Sequence, residues 1–164
     1  MRRAPLIAWL VLPLALAGCG FHLQGTAHLP AAFAVTQIDA EDRYTDFNRA
    51  LSLALRTSGS RVVGRGEEAG AAVEVLKDDS GQTLLSVSPQ TNTPTEYNVY
   101  YTVRYRVRVA GREVIPAQTL TLTRDYPYDP TAALAKEHEQ DVIREALARD
   151  IAALVMRRLA AVTP

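Results

Sequence analysis

The sequence predicts an α+β fold, a two-layer sandwich of two helices packed on one face of a four-stranded, mostly antiparallel sheet, in the order β-α-β-β-β-α. Three observations carry this expectation. Residues Glu96 to Val109 alternate without a break between apolar and polar, the period of a strand with one side buried. Two other stretches, Tyr44 to Thr57 and Asp129 to about Ala161, repeat their apolar residues at helical spacing. The third is their order: one helix precedes and one follows the strand-rich middle of the chain, so consecutive strands there can pair directly.

The first strand is expected at Ala34 to Asp39. In the helix that follows, Phe47, Ala50, Leu51, Ala54 and Leu55 form one stripe, most simply a core face, and Gly59 is placed to end it. Gly64-Arg65-Gly66-Glu67-Glu68-Ala69-Gly70 reads as a loop. Val73 and Val75 begin strand structure that resumes at Thr83 to Ser88; Asp78-Asp79-Ser80-Gly81 between them reads either as a turn or as a bulge in one long strand over residues 72–88.

The clearest strand follows. Tyr97, Val99, Tyr101, Val103, Tyr105, Val107 and Val109 point one way, and Glu96, Asn98, Tyr100, Thr102, Arg104, Arg106 and Arg108 the other. Ala110-Gly111-Arg112 makes a hairpin turn and Val114 to Arg124 returns, with Pro116 marking an edge position or a bulge because proline cannot donate to the ladder. The last helix opens on Asp129-Pro130, an N-cap followed by a first-turn proline. Its second half carries a stripe of Ile143, Leu147, Ile151, Leu154, Val155, Leu159 and Val162. Lys136-Glu137-His138-Glu139-Gln140-Asp141 is polar all round and must project beyond the core or meet a polar partner.

Ahead of this domain, Arg2 and Arg3 give a short positive segment, Leu6 to Ala17 an apolar core, and Leu16-Ala17-Gly18-Cys19 a terminus similar to that of bacterial lipoprotein signals. The apolar core is shorter than the roughly 20 residues of a membrane-spanning helix. The expected organisation is a removed signal over 1–18, a lipidated tether over 19–30 and a single domain over 31–164. The resemblance implies that Cys19 is the lipidation site and carries three acyl chains; at about 0.8 kcal/mol per buried methylene, even two such chains anchor stably. Gly20, rather than Asp, follows the cysteine, which by the same resemblance favours the outer membrane of a Gram-negative cell, facing the periplasm.

Composition narrows the chemistry. The chain has 18 basic and 18 acidic residues, and losing Arg2 and Arg3 leaves it near neutral, so nothing supports nucleic-acid binding. Its one cysteine is taken by lipid, so no intrachain disulfide is expected. His138-Glu139 begins like a zinc-protease motif, but Val142 stands where the second histidine is required. Glu137, Asp141 and Glu145 read as a solvated helix face rather than a metal site. Gly64, Gly66 and Gly70 lack dinucleotide-binding spacing, no Gly-x-Ser-x-Gly elbow exists, and His22 and His28 lie in the tether. No metal, cofactor or catalytic residue is expected. The row Arg104, Arg106, Arg108 reads, taken alone, as a solvated polar face.

Three motifs then resemble the lipopolysaccharide-assembly lipoprotein family LptE, also called RlpB: Gly20-Phe21-His22-Leu23 directly after the cysteine, Thr95-Glu96-Tyr97 opening the long strand, and Tyr128-Asp129-Pro130 leading into Ala133-Leu134-Ala135-Lys136-Glu137-His138-Glu139-Gln140-Asp141. The resemblance covers residues 19 to about 160. It implies a non-enzymatic, lipid-anchored outer-membrane protein that plugs and stabilises the large β-barrel LptD, assists lipopolysaccharide assembly and binds lipopolysaccharide directly. By that resemblance Lys136 stands at a contact position for lipopolysaccharide, whereas Gln90 occupies a place that is basic in some members; Arg104, Arg106 and Arg108 are candidates to supply the missing charge. The competing reading of Lys136 is a surface pair with Glu139 or Gln140. A lipoprotein scaffolding another envelope machine is the alternative function, and a lipid-anchored hydrolase ranks behind it.

Overall fold

The computed structural model describes residues 29–163. A 3-10 turn at Ala31–Phe33 leads into β1 (Val35–Asp39), then α1 (Asp46–Thr57), β2 (Arg61–Val63), β3 (Ala71–Val87), β4 (Pro94–Val109), β5 (Arg112–Pro127), a second 3-10 turn at Pro130–Ala132, and α2 (Ala133–Ala160). The sheet has five strands in the order β2-β1-β3-β4-β5, one more than expected. The addition is β2, three residues paired parallel to β1, with Arg61 N–H donating to Ala34 O at 2.8 Å. A strand that short shows no periodicity, and it exists because α1 delivers the chain to the free edge of β1. β1 also pairs parallel with β3, while β3, β4 and β5 form an antiparallel meander.

The alternation of β4 is realised as read. Val99, Tyr101, Val103, Tyr105 and Val107 are buried, and both helices cover that side. Phe33, Phe47, Leu51 and Leu55 meet Ile151, Val155 and Leu159 above Val73, Val103 and Val107, all without solvent exposure. Each such side chain contributes about 1.5–3 kcal/mol relative to exposure. The expected stripe of α2 is joined by Ala148, Ala152 and Met156, while Leu154 and Val162 are only partly covered.

Local chemistry sets the ends of α1. Thr45 Oγ1 accepts from Asn48 N–H at 3.2 Å at the start. At the other end Gly59 takes φ 87°, its N–H reaches Arg56 O and that of Ser60 reaches Leu55 O, both at 3.0 Å; this Schellman closure is what Gly59 permits.

β3 is one strand. Asp78, Asp79, Ser80 and Gly81 pair in unbroken register with Val103, Thr102, Tyr101 and Tyr100, and the irregularities fall on either side, between Val75 and Lys77 and between Leu84 and Val87. Gly81 is there for clearance: a Cβ at that point would stand 2.8 Å from the Tyr100 hydroxyl, which crosses the strand. The β4–β5 hairpin turns on Ala110 (φ 48°) and Gly111 (φ 78°), two left-handed residues in the two-residue turn that suits twisted strands. Pro116 sits both on the edge strand and in an irregular register, where Ile115 faces Val107 but Gln118 faces Tyr105. The start of α2 differs from expectation. Asp129 Oδ1 accepts from Thr131 N–H (2.9 Å) and Oγ1 (2.7 Å), which opens the 3-10 turn, so the α-helix begins only at Ala133 and its N-cap, Ala132, makes no side-chain bond.

Candidate functional site

The side of the sheet away from the helices is polar, and β4 sets its arginine row. Arg106 Nε donates to Glu74 Oε2 on β3 at 2.6 Å, and Arg108 reaches the other oxygen at 3.4 Å. One carboxylate thus holds two of the three guanidinium groups. The buried Nε of Arg108 has no hydrogen-bond partner among the described residues. Arg104 differs. Across the ladder it faces Lys77 on β3 and Thr119 on β5, and among the described residues it forms no ion pair. Lys77 has a loose partner, Asp79, at 3.3 Å, both half-exposed. Like charges directly opposite on a sheet repel. Arg104 and Lys77 therefore leave a positive spot, bordered by the hydroxyls of Thr102 and Thr121, 3.0 Å apart. Chemically, this suits a phosphate or carboxylate.

Lys136 is placed elsewhere, on the helix side. Its Nζ lies 2.7 Å from Glu139 Oε2 and its side chain is only 18% exposed, so Lys136 is paired with Glu139 on its own helix. Beneath this end of α2 is a tyrosine cluster: Tyr97 stacks on Tyr126 at 6.1 Å between ring centres and meets Tyr128 edge-on at 5.1 Å. Burial, then the neighbouring Tyr97 and Glu139, push the Tyr126 phenol up, and it donates to Gln82 Oε1 at 2.9 Å. The Thr131 hydroxyl and N–H hold the exposed Asp129 carboxyl below its usual range, with Lys136 adding a smaller pull. The structure keeps Lys136 and Arg104 on opposite sides of the sheet, so the two do not form one clamp. Gln90 lies exposed at the tip of the β3–β4 hairpin, bonded by Ser88 Oγ at 3.2 Å. Cys19 lies outside the described residues.

Two features were not read from the sequence. Leu84, Leu85 and Val87, on the outer part of β3, are each more than two-fifths exposed; as strand residues in an apolar run they carried no sign of extending past the helix layer. The other is a polar network under the start of α1. Thr45 Oγ1 donates to Asp78 Oδ2 at 2.6 Å, Phe47 N–H donates to the Tyr101 hydroxyl at 3.1 Å, and Arg144 Nε on α2 reaches Asp46 Oδ2 at 2.7 Å. Burial raises Asp78 above the ordinary carboxyl range against the pull of the Thr45 and Tyr101 hydroxyls, and Asp42 and Asp46 push the same way as burial. Burial also raises the Tyr101 phenol. Hydrogen bonds and an ion pair tie α1 here to β3, β4 and α2, which is a structural task. Among the described residues no group of three His, Cys, Asp or Glu side chains is placed to hold a metal ion.

A helix pair on one face of a five-stranded sheet, with the opposite face charged, defines a two-layer α+β domain. The chain belongs to the LptE lipopolysaccharide-assembly family, whose sequence profile it matches over residues 33–159. It is 32% identical over 154 residues to the LPS-assembly lipoprotein LptE of Pectobacterium atrosepticum, covering 92% of this chain and 83% of that one. The same-named protein of Photorhabdus laumondii is 32% identical over 148 residues, covering 89% and 79%. Solved structures share the fold. Lipoprotein B of Nitrosomonas europaea superposes with a TM-score of 0.70 at 24% identity over 87% of this chain and 91% of that one. Rare lipoprotein B of Shewanella oneidensis gives 0.67 at 24% identity over 77% and 94%.

Proposed function

We propose that this protein is a non-enzymatic lipoprotein of the outer membrane, anchored through Cys19, that occupies and stabilises an LptD-type β-barrel and binds lipopolysaccharide during its assembly. The observation that carries this reading is the family match over residues 33–159, which spans the whole helix-and-sheet domain. The polar open face supports it, since a mixed-charge surface with few apolar groups suits the polar interior of a barrel. Recovery of a large heat-modifiable barrel with the protein in mild detergent is the expected result. Full barrel assembly in cells depleted of the protein would overturn the reading.

For lipopolysaccharide itself, Arg104 beside Lys77 leads among the candidate contacts, because Arg106 and Arg108 are held by Glu74 and Lys136 by Glu139. Arg104→Glu sets a carboxylate opposite Lys77, a favourable cross-strand pair, so folding should be preserved while the positive spot is lost. Lipopolysaccharide affinity at low salt should fall severalfold, with a weaker dependence on salt than in the parent protein. Lys136→Asp should have the smaller effect; the reverse ranking would move the phosphate contact to the start of α2.

A further inference from the structure

We infer that the groove between α1 and β2 is a binding site for a saccharide that carries two phosphate groups, one held by an arginine at each end. The groove has a volume of about 340 Å³, within the range of small-ligand sites, and lies on the helix side of the sheet, away from Arg104 on the open face. Asn48, Ser52 and Arg56 follow one another at four-residue spacing along the face of α1 that borders it, and Ile38, Val62 and Val63 give it an aliphatic floor. Arg43 stands at the Asn48 end, where the Asn48 amide donates to the neighbouring Asp42 O. Two turns of helix, roughly 12 Å, separate that end from Arg56. The charges at both ends are free. Arg43 and Arg56 are exposed and make no ion pair or side-chain hydrogen bond among the described residues, whereas Arg49, on another face of α1, is bonded to Asp46 and to Tyr44 O. Gly64 makes room for the first of them: a Cβ there would stand 2.8 Å from Arg43 Nη2. The acid that lines the groove, Glu67, accepts from Gly64 N–H at 2.9 Å and leaves Arg43 unpaired.

Charge spacing and lining chemistry choose the ligand. An arginine fork pairs with phosphate through two N–H groups, and a single phosphate, free or in a lipid headgroup, meets only one of two forks set this far apart. A ligand that uses both therefore carries two anions. No aromatic ring lines the groove, so a nucleotide base has nothing to stack on. β2 offers three residues of edge, too short a ladder to hold an extended acidic peptide. A phosphorylated disaccharide fits on each count. Its hydroxyls meet the half-buried Ser52, the C–H faces of its rings lie on Ile38 and Val62, and two linked rings span the interval between the arginines. The site is independent of a barrel partner and of the positive spot at Arg104.

The test uses the full mature chain in an uncharged detergent, with a deacylated disaccharide bisphosphate and the matching monophosphate as probes. Calorimetry at low salt should show the bisphosphate bound at least tenfold more tightly than the monophosphate. Arg43→Gln and Arg56→Gln should each bring the bisphosphate down to the affinity of the monophosphate with the melting temperature unchanged. Arg61→Gln, which removes a charge outside the groove, should leave it within twofold. Gly64→Ala should weaken binding by displacing the Arg43 guanidinium, and Glu67→Gln, which keeps an acceptor for Gly64 N–H, should strengthen it. Intact lipopolysaccharide that competes with the bisphosphate makes its phosphorylated sugars the source of the ligand, and failure to compete makes the source a free saccharide; both uphold the groove. No binding of the bisphosphate at low salt, equal affinity for the two probes, or parental affinity in Arg43→Gln and Arg56→Gln overturns the inference. Displacement of the bisphosphate by an acidic peptide at equal concentration does so as well. Barrel recovery is not among these readouts, so failure here and failure of the proposed function are separate results.

Discussion

Val103 and Thr102 are neighbours in the chain and opposites in the sheet. Val103 is fully buried beneath the helices, while Thr102 shares a 3.0 Å contact with Thr121 on the open face. Val103→Asp should therefore lower unfolding free energy by several kcal/mol, because it buries an unpaired charge, and Thr102→Asp by less than about 1 kcal/mol; urea titration of both variants checks this, and equal losses would contradict the assigned faces. Asp78 gives a pH test. Its folded pKa is raised above 3.8, chiefly by burial, so its contribution to stability is most favourable below that value and is lost as pH rises through the folded pKa. Asp78→Asn keeps an acceptor for Thr45 and removes the buried charge. Its denaturation midpoint at pH 7 should exceed the parent's, and the gain should vanish near pH 3. The site residues teach a related lesson: Arg104, Arg106 and Arg108 look equivalent in the sequence, but one Glu74 on a neighbouring strand separates them into two held groups and one available.

At the scale of elements, α1 is closed by backbone geometry. Gly59 has φ 87° and no atom within 4 Å of an added Cβ, so Gly59→Ala should cost about 1–2 kcal/mol through left-handed strain alone. Thermal unfolding should show the loss with the folded-state circular dichroism unchanged; no change in melting temperature would mean the Schellman closure contributes nothing. Both helices and the β4–β5 hairpin were legible because each carries a period or a turn signal of its own. β3 was ambiguous because Asp78-Asp79-Ser80-Gly81 has turn composition for other reasons: Asp78 holds the start of α1 through Thr45, and Gly81 makes room for Tyr100. Asp129 was read as the cap of the last helix and instead caps the 3-10 turn that precedes it.

For the whole molecule, lipid anchoring and barrel partnership are the expectations that test the proposed function most directly. Mass spectrometry of the mature N-terminus should find a triacylated Cys19; a free cysteine, or a chain starting elsewhere, would sink the anchor. Depletion should lower the amount of properly assembled barrel and admit large or apolar antibiotics across the outer membrane, and an intact permeability barrier would rule out the stabilising role. The helices complete one face of the sheet, which leaves the other face and the outer end of β3 exposed.

By itself the sequence determined the α+β class, the element order apart from β2, the buried and open faces of β4, and, through its motifs, the family. All of these are written in periods and short-range signals, because side-chain alternation and helical spacing are properties of consecutive residues. Tertiary structure alone decided the fifth strand, the continuity of β3, the separation of Lys136 from Arg104 by the thickness of the sheet, and the choice of Arg104 as the uncommitted cation. Each of these depends on which residue of a distant segment stands opposite, and a pairing partner leaves no mark on the local pattern of the strand it joins.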